Sequence, residues 1–270
     1  MSEYVSVTGS GPSAAFFDLD RTLISGSSAF TLAIQARKAG LIPNHEFVRD
    51  AGSAVAFKLF GASDDTSEEV RKRILGAVTG LRQVDLQALN ADVVPRLIER
   101  VRPEAKRLLE RHRRAGRDTF IVSAAPQEIV EPLAHALGMT GGIGTRSTVD
   151  NGVYTGDLDG PFCYGPGKVE AMQEVASWNG YDLAQCYAYS DSASDLPMLD
   201  AVGHPVAVNP DSRLERHARR NGWPIVIFSQ RTKSVIRRTL SGVATVGIGV
   251  GGFVIGTQVG RSRRSGLLRR

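Results

Sequence analysis

The chain of 270 residues is 42% hydrophobic and 23% charged, enough to bury one good core and a smaller second one, and its formal charge is +5. Nine Lys or Arg and no acid fall in residues 231–270, so the remainder holds 24 basic against 28 acidic residues, a balance of −4, with no basic face for nucleic acid. Two cysteines, Cys163 and Cys186, with no CxxC and no nearby histidine pair, exclude a disulfide framework or a zinc site and fit a reducing cytoplasm.

Residues 1–13 show neither a basic start nor an apolar run, which excludes a secretory signal and reads as a flexible leader. Ala14 to Asp18 (AAFFD) follows Gly11-Pro12-Ser13 and reads as a buried strand with polar residues at its carboxyl end. From residue 27 to 101 the pattern turns helical in about four segments: SAFTLAIQARKAG, NHEFVRDAGSAVAFKLF, SEEVRKRILGAV and VDLQALNADVVPRLIERV. Breaks at Gly40 to Pro43, Gly61 to Asp65 and Gly80 separate them. Pro103 to Ala115 is an amphipathic helix closed by Gly116, and Asp118 to Val122 (DTFIV) is a buried strand that stops at Ser123. Glu128 to Leu137 is helical, and Ser147 to Thr155 forms a hairpin because Asn151-Gly152 suits a type I′ turn. A helix over Lys168 to Ser177 precedes three short apolar runs, Cys186 to Tyr189, Pro205 to Val208 and Pro224 to Phe228. Strands alternating with helices predict an α/β, Rossmann-like, mostly parallel sheet with helices on both faces, formed by residues 14–26 and 102–230, with a helical insertion over 27–101. The ligand of such a sheet lies beyond the carboxyl ends of its strands.

Chemistry concentrates at those ends. Asp18 and Asp20 bracket Leu19, so a period of two puts both carboxylates on one side of the chain, with the Thr22 hydroxyl close behind. Such pairs are also common in loops. Ser190-Asp191-Ser192-Ala193-Ser194-Asp195 follows another apolar run and brings two more acids to the same crevice. Repulsion among four carboxylates is relieved by a hard cation, and oxygen ligands of this kind suit magnesium. Asp195 has a plainer reading as the cap of the helix that starts LPML, but that explains one acid and not the set. Ser123 ends a strand and Lys168 opens a helix, adding a hydroxyl and an ammonium for phosphate oxygens. GPFCYGPGKV lacks the spacing of a P-loop, and His45, His112, His135, His204 and His217 are scattered without metal or triad spacing, so no function is assigned to them.

The strings FFDLDRTL, VSAAP, GK and SDSASDLPML, in that order and with a helical insertion after the first, resemble the haloacid dehalogenase superfamily and its phosphoserine-phosphatase-like branch over residues 14–228. The resemblance implies a magnesium-dependent phosphomonoester hydrolase acting on a small phosphorylated substrate through an aspartyl-phosphate, with the insertion as a mobile cap; by their own pattern the same helices equally fit a rigid packed subdomain. Asp18 would be the nucleophile, and Asp20 the acid that protonates the leaving oxygen and then the base towards water. Thr22, Ser123 and the N–H of Ala124 would hold phosphate oxygens, and Lys168 would offset their charge. Asp18, the carbonyl of Asp20 and Asp191 would ligate Mg2+, with Asp195 orienting that shell. The acid must keep its proton at neutral pH, so burial and crowding are expected to raise the Asp20 pKa.

The sequence departs from that branch at Ser27, where a Glu usually meets the substrate's amino group, and at Ser190 and Ser194, which replace Gly and Asn. Serine specificity is therefore not implied. Other readings of the site are phosphotransfer or mutase chemistry and a catalytically silent, membrane-tethered interaction protein. In the tail, residues 239–260 carry no charge and seven glycines, with arginines on either side. Three readings fit: a membrane span, an anchor lying on anionic headgroups, or a flexible Gly-rich tail. With a span or an anchor, the substrate could be a lipid-related phosphate ester, and the catalytic part would face the cytoplasm.

Overall fold

A computed structural model describes residues 12–41 and 67–228. The leader up to residue 11, the second inserted helix and the tail from residue 229 lie outside the described residues, and with them the membrane reading; no described helix is long and apolar enough to cross a bilayer.

Six strands form one parallel sheet in the order β3-β2-β1-β6-β7-β8: β1 (Ala14–Asp18), β2 (Asp118–Pro126), β3 (Gly141–Thr145), β6 (Tyr187–Ser190), β7 (His204–Val208) and β8 (Ile225–Val226). Apart from β3, the central strands carry continuous apolar runs because both faces are covered. On one face Phe16, Phe120 and Ala188 pack under Met172 of α7 (Pro166–Asn179), Met198 of α8 (Leu196–Asp200) and Leu214 of α9 (Ser212–Arg220). On the other, Phe17 and Tyr189 stack at 4.5 Å and meet His112 of α5 (Pro103–Arg114), beside which α6 (Gln127–Ala136) packs on β2. The chain moves outward from β1 through β2 to β3, then returns to lay β6 on the other side of β1. That reversal opens a crevice at the carboxyl end of β1, as doubly wound sheets require.

Two elements differ from expectation. β2 runs on past Ser123 to Pro126, with an irregular register against β3 between Val122 and Pro126. β3, with the sequence GGIGT, has no apolar run to announce it. A Cβ on Gly142 would lie 2.7 Å from the Val130 backbone, and one on Gly144 2.8 Å from Gln127 Cα, so α6 can pack this closely only on glycine.

The insertion contains, among the described residues, α1 (Ser28–Lys38), α2 (Ser67–Val78), α3 (Gln83–Ala88) and α4 (Asn90–Glu99). The single helix expected over residues 84–101 is thus broken at Leu89. The predicted hairpin is present as β4 (Ser147–Asp150) and β5 (Val153–Leu158), with Asn151 and Gly152 at φ 48° and 80°. It also bonds to the insertion: Gly80 N–H to the Tyr154 carbonyl at 2.9 Å, Tyr154 N–H to Leu81 at 3.0 Å and Gln83 N–H to Gly152 at 2.9 Å. The α2–α4 side is therefore strapped to the sheet domain by backbone bonds.

Candidate active site

Parallel register brings the catalytic candidates together. Asp18 pairs with Val122, which puts Ser123 one residue beyond it on β2, and Phe17 pairs with Tyr189, which puts Ser190 and Asp191 beyond it on β6. Lys168 arrives from the first turn of α7, where Pro166 occupies a position that needs no N–H. A Cβ on Gly167 would collide with the Phe162 carbonyl, so glycine is what allows the turn to deliver the lysine.

The Lys168 ammonium donates to Asp18 Oδ1 at 2.7 Å and Asp195 Oδ2 at 2.8 Å, and all three side chains are buried. Burial works against charge on Lys168, but the two carboxylates outweigh it and hold the ammonium above its usual range. Asp195 has no side-chain capping bond; besides Lys168 it accepts from the Ser190 hydroxyl at 2.7 Å. The plain helix-cap reading of Asp195 therefore fails. Ser190, read from sequence only as a departure from glycine, supplies the second donor that this buried carboxylate needs.

Asp18 and Asp191 are both pushed above the ordinary carboxylate range, first by burial. Each senses neighbouring acids: Asp195 and Asp20 raise Asp18, and Asp18 raises Asp191. Asp20 is raised too, with burial again the largest cause, while hydrogen bonds from Ser28 and Ser27 oppose the shift. Its Oδ1 accepts the Ser28 N–H at 2.7 Å. The expected contribution of crowding at Asp20 is not among its leading causes; burial supplies the shift.

Thr22 is 2% exposed and its hydroxyl has no hydrogen-bond partner among the described residues, an orphan that a phosphate oxygen would satisfy. The Ser123 hydroxyl oxygen accepts the Ala125 N–H at 3.2 Å, and Thr145 donates to the Ala124 carbonyl at 2.9 Å, which fixes that peptide. Among the described residues no three His, Cys, Asp or Glu side chains form a metal-binding group. The donors that do converge are all oxygen, two of them carboxylates that burial and mutual repulsion raise, and such a set suits a hard divalent ion assisted by main-chain oxygen.

Sequence reasoning missed three residues. Arg21, in the left-handed region at φ 63°, pairs with Asp191 at 2.8 Å. Asp211 accepts the Ala193 N–H at 2.8 Å and donates its own N–H to the Asp191 carbonyl, holding the acidic loop; its place before SRLE was a legible helix cap. Arg100 donates to the Ser25 carbonyl at 2.8 Å and the Thr31 hydroxyl at 2.7 Å, joining the two connections of the insertion, and nothing in sequence pointed to it.

Residues 15–200 match the haloacid dehalogenase-like hydrolase family, and the chain belongs to it. Within that family it is an enzyme of the phosphatase type. It is 42% identical over 217 residues to an inhibition of morphological differentiation protein of Streptomyces azureus, covering 80% of this chain and 78% of the other. To a phosphoserine phosphatase of Mycobacterium tuberculosis it is 36% identical over 222 residues, 80% of this chain and 70% of that one. A crystal structure of a protein from Bordetella pertussis superposes with a TM-score of 0.70 at 28% identity, covering 80% and 98% of the two chains.

Proposed function

We propose that the chain hydrolyses a small phosphate monoester by way of an aspartyl-phosphate on Asp18. The observation that carries this reading is the buried Lys168 bridge between Asp18 and Asp195, beside the orphaned Thr22 hydroxyl. Lys168 holds one oxygen of the Asp18 carboxylate, which leaves the other for attack at phosphorus. Thr22, Ser123 and the Ala124 N–H bind the phosphate oxygens. Asp20, whose pKa burial raises, gives its proton to the leaving oxygen and then takes one from the water that cleaves the acyl-phosphate. Asp18, Asp191 and the main-chain carbonyl of Asp20 would hold Mg2+, which supplies positive charge for the phosphate oxygens when bound.

The relative's phosphoserine specificity does not transfer directly. Ser27 is the N-cap of α1 and its hydroxyl oxygen accepts the Phe30 N–H, so a substrate ammonium meets no carboxylate at that position. We therefore infer a phosphorylated metabolite recognised without an amino group. Phosphate release from a panel of phosphoserine, phosphosugars and lysophosphatidate, with Mg2+ and with Asp18→Asn as the blank, tests this. Release equal to the blank throughout defeats the hydrolase reading; preference for phosphoserine defeats the specificity; preference for lysophosphatidate moves the substrate to the lipid class that the tail suggests.

A further inference from the structure

At the opposite end of the sheet, where β2 and β6 begin, the carboxyl end of α5 borders a cavity of about 310 Å3 lined by Arg111, His112, Arg114, Arg117, Tyr187 and Tyr189. Arg114 is tied to Glu110 at 2.8 Å and Arg117 lies 4.7 Å above the Tyr187 ring, but among the described residues neither Arg111 nor Arg117 has a carboxylate partner. His112 is 4% exposed, packed edge-on to Tyr187, with Nε2 2.8 Å from the Tyr189 hydroxyl. Its Nδ1 is buried and has no hydrogen-bond partner among the described residues. Basic residues in a last helical turn offset the helix dipole, which accounts for the arginines of α5. It does not account for a buried ring nitrogen left unpaired, whose desolvation nothing compensates among the described residues.

We propose that this cavity is a second anion site, taking a phosphate or phosphate-monoester dianion between the Arg111 and Arg117 guanidinium groups, with His112 Nδ1–H donating to it. The proton placement is self-consistent. If the Tyr189 O–H donates to Nε2, the neutral ring carries its hydrogen on Nδ1, where an anion oxygen accepts it. Guanidinium groups suit oxyanions because their N–H pairs match two oxygens at once. The space also leaves room for the organic part of a small ester beside its phosphate group. None of these residues belongs to the Asp18 crevice, so the proposal stands apart from the hydrolase reading.

Magnetic resonance of the full chain with labelled histidine and Asp18→Asn follows the His112 ring during titration with inorganic phosphate, glycerol 3-phosphate, or sodium chloride at matched ionic strength. Expected is a saturable movement with phosphate, the monoester or both, and none with chloride; the tighter of the two identifies the source. Arg111→Gln with Arg117→Gln should raise the anion concentration required by about tenfold or more, while p-nitrophenyl phosphate turnover with Asp18 restored is unchanged. No response, an equal response to chloride, or a response that survives the double substitution overturns the proposal, the last because it would report binding in the Asp18 crevice alone.

Discussion

The two ends of this sheet carry opposite chemistry on the same scaffold. At the carboxyl end burial drives Asp18 and Asp191 up; at the amino end burial, then Arg117 and Arg111, drives His112 down to about 4. In both places desolvation favours the neutral form of the group, and a ligand of opposite charge would restore the ionised one. Phe17 links the ends directly, since it precedes Asp18 and packs edge-on to His112 at 5.9 Å. What differs is the internal counter-charge. The acids have Lys168 among them, whereas the charges that bear most on the imidazole at the amino end are those of Arg117 and Arg111.

The contrast is sharpest when the carboxyl end is broken. Asp18→Asn should lower phosphate release by ~10^3-fold or more in single-turnover assays, since an amide is a poor nucleophile, with the fold retained by circular dichroism. Next, Lys168→Met should cost ~10^2-fold or more in kcat and also destabilise by about 3–5 kcal/mol in urea titrations, because it strands two buried carboxylates. If that variant is as stable as the parent, the bridge does not neutralise the acids.

The ends should also respond to pH with opposite sign. Raised carboxylates contribute stability that is present at about pH 4 and lost as pH climbs through about 6 to 8. A divalent ion at those acids reverses the loss, so Mg2+ should raise Tm by several degrees at pH 8 and little at pH 5, and Asp191→Asn should remove the difference. A depressed histidine works the other way. Its contribution is full above pH 6.5 and fades as pH falls towards about 4. His112→Gln should accordingly flatten the acid flank of Tm against pH by a few degrees, and an unaltered flank would mean the ring is not desolvated in solution. The smallest effect expected is that of Ser190→Ala, which removes one donor from Asp195: about 1–3 kcal/mol in stability with the reaction retained.

The insertion shows how far sequence could be read. Its helical period was plain, and α2 appeared as SEEVRKRILGAV, but the helix break at Leu89 and the backbone strap from Gly80, Leu81 and Gln83 to the β4–β5 hairpin were not. A hairpin turn is announced by its own two residues; the strand edge it offers to another segment is not. Likewise β3 was invisible because its glycines answer to the approach of α6 and not to any local preference. Asp18, Asp20, Lys168 and the Asp191 to Asp195 loop were legible because each stands at the end of an apolar run or the start of a helix, where sequence order already tells which end of the sheet it joins.

By itself the sequence determined the alternation of the other strands with helices, β3 and the break at Leu89 apart, and the acid-and-lysine inventory of the crevice, since both follow from local pattern along the chain. Only the tertiary structure decided which oxygen faces which ammonium, that Ser190 and Asp211 hold the acidic loop, and that three arginines line one cavity with a histidine whose Nδ1 has no partner among the described residues. Those relations join residues far apart in sequence, and their strength depends on burial, which no single stretch of chain controls.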